Sequence, residues 1–288
     1  VKKKRNMIKE IIDKLVALLA VSALLASCSE SELWQNPQTE ARDGYIMLNF
    51  KTEIPAMQEV VTRAVDPDGG GVQDMTLFCF DSYGLFISTV KAGVTVQKPG
   101  PGEMEGTFKA EVPENTRTIH FLANQNMDEF KEDSFRNKSE SEVMAVLEGS
   151  SGRMIYWGRF ACDAGNDSNI AEQMATSGNS VKLIRNHARI SVDNPDNNGH
   201  IVITGFAVCN TNAFGTVAPH HPKKGFDFTW PSSDDPFVTL PVNDAKMSDI
   251  TDVTSSMNQY VFECENSADA PVSVILRGHL PDQDRSEE

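Results

Sequence analysis

The side chains of this sequence most able to do covalent or metal chemistry are its five cysteines and six histidines, and they are widely scattered. Four cysteines form no C-x-x-C pair and no zinc-like cluster, so a thiolate metal site is not expected; these are Cys79, Cys162, Cys209 and Cys264. In an exported protein such residues can form disulfides. Cys209 with Cys264 is the candidate pair, and the alternative is isolated buried thiols in strands.

Catalytic motifs are also missing from the sequence. It has no G-x-S-x-G elbow and no H-E-x-x-H helix, and Gly69-Gly70-Gly71 lacks the Lys-Ser/Thr that completes a phosphate-binding loop. His220-His221 precedes a proline and two lysines, which predicts an exposed loop. The run Asn194 to Gly199 imitates the start of a calcium loop, but its twelfth position is Gly205, where a glutamate is needed. We therefore expect no enzyme, no metal and no cofactor.

Cys28 stands apart because it ends a segment typical of export. A head with six Lys and Arg precedes an uncharged apolar run from Leu15 to Leu25, which is shorter than the about 20 residues of a membrane-spanning helix. Leu25-Ala26-Ser27-Cys28 then resembles the bacterial lipobox. That resemblance implies a diacylglyceryl lipid on the Cys28 sulfur and cleavage between Ser27 and Cys28. Acyl chains such as palmitate would hold the protein at a membrane; the alternative is an ordinary cleaved signal and a soluble protein.

The charge of the chain changes sign after this segment. Residues 28–288 carry 20 Lys and Arg against 39 Asp and Glu, a net charge of −19, so nucleic acid is not an expected partner. Ser29-Glu30-Ser31-Glu32 resembles the acidic signal that sends some lipoproteins of the Bacteroidales to the cell surface. The polar, aperiodic stretch that continues to Arg42 is typical of a tether.

Short strands dominate the rest of the chain and predict an all-β fold. Tyr45 to Phe50 alternates, with Ile46, Leu48 and Phe50 on one face, which predicts a half-buried strand. Turns rich in Gly, Pro, Asn and Asp separate further strands, predicted at Leu77–Phe80, Gly84–Val90, Thr107–Val112, Thr118–Ala123, Val181–Ile184, Ala188–Val192, His200–Cys209, Asn258–Cys264 and Val272–Gly278. Short connecting helices are expected after the capping box Ser139-Glu140-Ser141-Glu142 and within Asn169–Thr176.

The length of the chain, 288 residues, favours two domains, because single domains usually have about 100–200 residues. A turn-rich run from Asp193 to Gly199 separates two blocks of strands. We therefore predict a signal peptide at 1–27, a tether at 28–42, an N-terminal β-sandwich at 43–194 and a C-terminal β-sandwich at 195–288.

Several strands resemble, in order, the phrases of the Bacteroidales fimbrillin family, the type V pilin-like lipoproteins that form major fimbrial subunits. One is a hairpin strand that closes on phenylalanine, aspartate and a glycine turn, and another ends in alanine-asparagine. The matching stretches are Met75–Gly84, Ile119–Asn124, Val181–Ile190, Gly205–Thr211 and Tyr260–Glu263. The resemblance implies two tandem Greek-key, transthyretin-like sandwiches with short helical connections.

The family also implies an assembly mechanism. An arginine-specific protease outside the cell cuts the loop after the first strand, that strand leaves, and a strand of the next subunit fills the groove. By this resemblance, Arg63 followed by Ala64 is the maturation site, within a loop that Pro67 and three glycines make exposed. The displaced strand carries Ile46, Leu48 and Phe50. The alternative for Arg63 is an ordinary loop arginine.

The carboxyl-terminal end departs from the family pattern. Family members continue past the glycine that matches Gly278 into further strands, one of which is the donor, whereas Leu280 to Glu288 is polar and has no alternation. We therefore expect the second sandwich to be incomplete. Either the sequence is a fragment, or this subunit accepts a strand without donating one and sits at a filament end as tip or anchor.

The expected role is thus that of a structural fimbrial subunit at the outer membrane and cell surface, supporting adhesion. Its expected partners are other fimbrial subunits, as a homopolymer or as accessory subunits, the outer membrane through the lipid, and the protease. The rival is a surface lipoprotein that binds glycan or host protein without polymerising. Two tryptophans side by side on the surface would favour it, from among Trp34, Trp157 and Trp230.

Overall fold

Strands far outnumber helical residues in the described part of the computed structural model, which confirms the all-β prediction. The structure describes residues 41–54, 72–99, 104–150, 154–192, 202–221, 236–243, 251–252 and 258–280. All of them belong to one unit, Ala41–Glu288. Among these residues no helix has the length and apolar character needed to cross a bilayer.

Each predicted strand has a counterpart close to its predicted place, whereas five strands were not predicted, namely Gly93–Pro99, Glu148–Ser150, Tyr156–Ala161, Phe214–Thr216 and Thr251–Asp252. The bounds of all the described strands are β1 Tyr45–Glu53, β2 Met75–Phe80, β3 Phe86–Lys91, β4 Gly93–Pro99, β5 Met104–Pro113, β6 Thr118–Ala123, β7 Glu148–Ser150, β8 Tyr156–Ala161, β9 Ser180–Lys182, β10 Ile184–Arg185, β11 His187–Ser191, β12 Val202–Cys209, β13 Phe214–Thr216, β14 Thr251–Asp252, β15 Asn258–Phe262 and β16 Ser273–His279. The helices are short: a 3₁₀ turn at Glu132–Phe135, α1 at Glu140–Met144 and α2 at Ile170–Thr176. Both predicted caps form, since Ser139 makes the capping box of α1 and Asn169 accepts the Glu172 N–H of α2.

Two sheets pack face to face and enclose the main core. One has the strand order β4-β5-β1-β9, and the other has the order β10-β8-β6-β2-β3. The first contributes Phe50, whose ring stacks on Phe108 at 5.5 Å and meets Phe121 of the second sheet edge-on at 5.0 Å. These contacts join the two sheets face to face around one core.

The second sheet is buried on both faces, as every residue of β2 and β6 shows. Its other face carries Phe78, Leu122 and Trp157, which pack against α1 and against segments from late in the chain. Those late segments contribute Val217, Ala218, Phe237 and Val238. The second sheet is therefore the middle of three layers.

The last strands form a smaller core. β12 lies between β14 and β16, and β11 pairs antiparallel with β15. Phe206 and Val208 of β12 are fully buried between them, with Ile190 and Val261 packed against that pair. All four described cysteines are free thiols, with Cys209 buried and Cys264 half-buried, which favours isolated thiols over a Cys209–Cys264 disulfide.

The edges of the second sheet are blocked by local structure. At the β3 edge, the Glu132 carboxylate accepts the Thr89 N–H at 3.1 Å and the Thr89 hydroxyl at 2.5 Å. Lys138 O accepts the Phe86 N–H at 2.8 Å. At the opposite edge β10 has only two residues. Covered or very short edges cannot recruit a further strand.

Gly158 of β8 tests how closely the sheets approach. A Cβ there would lie 2.6 Å from Lys182 O and 2.8 Å from the Leu183 Cδ2. We expect Gly158→Ala to lower the free energy of unfolding by about 1–3 kcal/mol, because backbone cannot yield cheaply. The measurement is denaturant unfolding. The control Gly93→Ala, whose Cβ would make only an ordinary 3.8 Å contact with Lys109 O, should stay within about 0.5 kcal/mol; equal losses for both would contradict the close approach.

Candidate functional site

β1 is a central strand along one side and an open edge along much of the other. It pairs antiparallel with β5 over Tyr45 to Thr52. On the other side β9 pairs with it, in parallel, only from Lys51 to Glu53. In the described chain no strand lies beside Tyr45–Phe50 on that side.

The short contact with β9 is well made. The Lys51 N–H donates to Asn179 O and the Leu183 N–H donates to Glu53 O, both at 2.7 Å. The Ser180 hydroxyl donates to the Glu53 carboxylate at 2.6 Å. Backbone groups alternate sides along a strand, so those of Met47 and Asn49 point to the same side as Lys51, toward the open edge.

The inner face of β1 is a row of apolar side chains. Ile46, Leu48 and Phe50 are 7%, 1% and 0% exposed, and the predicted displaced strand therefore lies in the core of the sandwich. Full burial of one such side chain contributes about 1.5–3 kcal/mol. The groove that holds β1 is thus apolar along its length, between β5 and the facing sheet.

Just before the start of β1, Arg42 forms an ion pair with Glu111 of β5. The Arg42 Nε donates to the Glu111 carboxylate at 2.7 Å, and the guanidinium lies over the Tyr45 ring at 4.3 Å. Arg42 is two-thirds exposed, so this pair contributes at most about 1 kcal/mol. The strand is held by its apolar row and by its hydrogen bonds to β5, and the Arg42–Glu111 pair contributes little to its stability.

The covalent sites predicted from the sequence lie outside the described residues. This applies to the lipidation and signal-cleavage residues Ser27 and Cys28 and to the maturation residues Arg63 and Ala64. The structure describes the chain as far as Ile54 and again from Val72. Arg63 therefore belongs to the connection between β1 and β2, after the strand that the resemblance says is removed.

A second open edge, which the sequence did not indicate, lies on β16. Every residue of β16 is exposed, and β12 is its one neighbour among the described strands. Val274 and Leu276 stand opposite Val208 and Phe206 in the register, so they share the face that carries the small core. They are nevertheless 48% and 54% exposed.

A buried polar network occupies the outer face of the middle sheet. The Trp157 Nε1–H donates to His120 Nδ1 at 3.1 Å, and His120 Nε2 lies 2.6 Å from the Glu140 carboxylate. Arg159 makes two hydrogen bonds to the same carboxylate, at 2.7 and 3.1 Å. Burial raises the pKa of Glu140, but the hydrogen bonds from His120 and Arg159 outweigh it and lower that pKa to about 2.

This network is structural. The indole N–H is a donor only, so His120 Nδ1 accepts and Nε2–H donates to Glu140. Both ring nitrogens are therefore occupied, and the imidazole is completely buried. A histidine in this state has no face left for a substrate.

Two further sequence-based expectations change. Trp157 is fully buried, so it cannot belong to a surface platform for sugar, while Trp34 and Trp230 lie outside the described residues. His220-His221 was predicted in an exposed loop, but both are half-buried, because His220 Nδ1 donates to Val238 O at 2.5 Å. No group of metal-ligating side chains occurs in the described part of the chain.

Comparison with known proteins returns distant structural neighbours. No family model and no curated protein matches the sequence. Among solved structures, the fold is similar to a putative cell adhesion protein from Parabacteroides distasonis (15% identity, TM-score 0.44, covering 81% of this chain and 76% of that one). A second putative cell adhesion protein, from Bacteroides eggerthii, gives 14% identity, TM-score 0.43 and coverages of 84% and 76%.

A third neighbour is the tip fimbrial protein Mfa3 from Porphyromonas gingivalis with C-terminal truncation. It gives 14% identity and TM-score 0.45, over 77% of this chain and 71% of that one. With TM-scores below 0.5, these likenesses carry no functional argument. The role of the protein has to be argued from its own residues.

Substitution of Phe50 tests how strongly the apolar groove stabilises β1. We expect Phe50→Ala to reduce the free energy of unfolding by about 3–5 kcal/mol, because the side chain is fully buried between Phe108 and Phe121. Denaturant unfolding followed by circular dichroism measures it. Asn49→Ala, on the opposite face of the same strand, should cost about 0.5 kcal/mol; a comparable loss there would mean that the strand is held by something other than its apolar row.

Glu140 tests the polar network. Glu140→Gln leaves the Arg159 guanidinium, only 4% exposed, without its carboxylate, and we expect a loss of about 3–5 kcal/mol in unfolding free energy. Chemical denaturation at pH 7 measures the change. Asp133→Asn removes the exposed ion pair with Arg136 and serves as control, with an expected change within about 0.5 kcal/mol. A Glu140→Gln protein as stable as the parent would show that the network does not hold the middle sheet.

Proposed function

We propose that this protein is a structural subunit of bacterial surface fimbriae, exported as a lipoprotein and assembled by strand exchange after proteolysis. The observation that carries the proposal is the bonding of β1. The strand has a complete apolar row in the core but a full set of backbone pairs on one side only. Such a strand is stable in place and can be replaced by another of the same pattern.

The proposed trigger is a cut between Arg63 and Ala64 by an arginine-specific protease. It separates residues 28–63, with β1 inside them, from the remainder of the sandwich. Departure of β1 then uncovers the β5 edge and the groove lined by Phe108 and Phe121. Unpaired backbone groups beside an apolar groove form an acceptor for a strand from a neighbouring subunit.

Repetition of such a contact builds a filament. A donor strand on one subunit and an acceptor groove on the next make a head-to-tail interface, which stays open instead of closing into a ring. The exposed β16 edge, with Val274 and Leu276 uncovered, offers a further contact for other fimbrial subunits. A position at the stalk, the tip or the anchor is compatible with this arrangement.

Anchoring is proposed to come from the lipid on Cys28, after signal cleavage between Ser27 and Cys28. The acyl chains would insert in the outer membrane and display the sandwich at the cell surface. Because Cys28 lies before β1, the cut at Arg63 would also release the rest of the subunit from its anchor. An uncut subunit would remain attached, as a filament anchor must.

Cleavage and polymerisation can be tested together. The exported chain, incubated with an arginine-specific protease, should form heat-resistant ladders on denaturing gels, with subunits that begin at Ala64 by N-terminal sequencing. Arg63→Ala should abolish the ladders. Arg136→Ala removes another exposed arginine and should leave them unchanged.

Two results would overturn the proposal. Polymers whose subunits still begin at Cys28 would exclude the cleavage step. A protein that stays monomeric after cutting and binds polysaccharide or host protein with or without the protease would instead be a non-polymerising adhesion module.

A further inference from the structure

The late segments of the chain contact the earlier part at several places, and two of these contacts are buried histidine–phenylalanine pairs. We call this region the seam and define it by His120 with Phe237 and by His187 with Phe262. The Phe237 ring is stacked on the His120 ring at 5.8 Å, and the Phe262 ring lies 3.8 Å from the His187 ring. Both histidines and both phenylalanines are buried.

The Phe262 ring packs closely against two glycines, where a side chain would collide with it. A Cβ on Gly215 would lie 2.4 Å from the Phe262 ring, and one on Gly149 would lie 3.2 Å from it. Gly149 and Gly215 face each other across the β7–β13 pair. The Phe262 ring of β15 therefore packs directly against the backbone of the β7–β13 pair.

The tautomer of His187 follows from its neighbours. Asn186 Oδ1 accepts the Ile155 N–H at 3.1 Å, so this atom is an acceptor and His187 Nδ1, 2.7 Å away, must donate to it. His187 Nε2 therefore carries a lone pair, and this atom is buried without a hydrogen-bond partner. A proton added there would place a charge against Phe262 with no acceptor in reach.

Within the described residues, the rings in contact with His187 are those of Tyr260 and Phe262. Tyr260, edge-on to the imidazole at 6.3 Å, is the titratable side chain among its ring contacts. Burial alone lowers the pKa of His187 to about 4. At the other contact, His120 faces the Glu140 carboxylate and the Arg159 guanidinium, while Phe80, Trp157 and Phe237 surround its ring. Burial lowers the pKa of His120 most, and Glu140 opposes that shift.

We propose that the seam is an acid-sensitive latch: protonation of His187 releases the late strands from the sandwich while the sandwich itself stays folded. The structure shows the closed state, in which each imidazole is enclosed by aromatic rings. In the open state His187 meets water and takes a proton, whereas His120 keeps its hydrogen bonds to Trp157 and Glu140. His120 lies on the outer face of the middle sheet, since its neighbours Ile119 and Phe121 enter the core between the first two sheets.

The direction of the pH dependence follows from proton linkage. An exposed histidine has a pKa near 6.5, and closure lowers that of His187 to about 4, so the open seam binds more protons between these values. Closure is therefore fully stable above about pH 6.5 and weakens as the pH falls toward 4. At pH 4.5 the opening equilibrium should rise on the order of 100-fold through His187.

Hydrogen–deuterium exchange on the full chain measures this opening. Between pH 7.5 and 4.5, corrected for the intrinsic exchange rate, peptides over Phe214–Thr216 and Asn258–Phe262 should lose protection on the order of 100-fold. Peptides over Met75–Phe80 and Thr107–Val112, in the two facing sheets, should keep theirs. His187→Gln, which cannot be charged, should suppress the loss, and His279→Gln, on the exposed β16 edge, should behave as the parent.

If the His187→Gln variant does not fold, a second measurement on the unaltered protein tests the proposal instead. Side-chain NMR of the unaltered protein, labelled on histidine, should show His187 remaining neutral well below pH 6.5 and titrating where the late peptides begin to exchange. The proposal is overturned by a seam that stays protected at pH 4.5, or by the two facing sheets losing protection together with it. It is equally overturned by a variant that opens like the parent, or by His187 titrating near pH 6.5 in a closed seam.

Discussion

Backbone pairing on both sides of a strand is the constraint on which this structure depends. A buried N–H or C=O without a partner costs about as much as a lost hydrogen bond, so a central strand is normally committed to two neighbours. β1 is paired along nearly its whole length with β5, but its pairing with β9 covers only Lys51–Glu53. Its place in the sandwich is therefore secured by its inner face, where Leu48 and Phe50 are inaccessible to solvent. The apolar row and the one complete ladder together hold β1 in the core, while Tyr45–Phe50 has no described strand beside it on the other side.

The middle sheet is the layer against which the other two pack. It is covered on both faces, and its outer side carries a polar network in which Trp157, His120 and Glu140 satisfy one another. Hydrogen bonds in such dry surroundings are stronger than in water, and they hold β6, β8 and α1 in one arrangement. The segments that follow residue 200 contact this layer through apolar and ring contacts. Asn243 joins these segments to one another, because its amide group donates to Asn210 O and Ala270 O and its Oδ1 accepts the Ser267 N–H. The fold thus has a middle sheet held by its own polar network. The sheet that contains β1 packs on one face of it, and the late segments pack on the other face.

Sequence patterns predicted the strands whose environment is regular and missed those whose environment is not. Thr118–Ala123 has the predicted bounds because a compact apolar run between turns has one simple solution. β8 was missed, because Tyr156-Trp157-Gly158-Arg159 carries a glycine and a charge in the middle of a buried strand. The glycine is needed for close approach to Lys182, and the charge is neutralised by Glu140, a partner on a different element. The apolar face of β1 was predictable from alternation, whereas its open edge was not, since the length of β9 is decided by the turn that follows α2. The histidine contacts of the seam likewise depend on residues far apart in the chain and have no local signature.

The parallel pairing of β9 with β1 also constrains the order in which the fold can close. Ser180 and Glu53, which hydrogen-bond at the end of β1, are 127 positions apart in the chain. A chain made from its amino terminus therefore presents β1 long before the partner that fastens its end exists. Closing so long a loop is entropically expensive, and contacts of this range form late. The carboxyl end of β1 is thus secured later than the part of the strand that pairs with β5, whose residues lie much nearer in the chain.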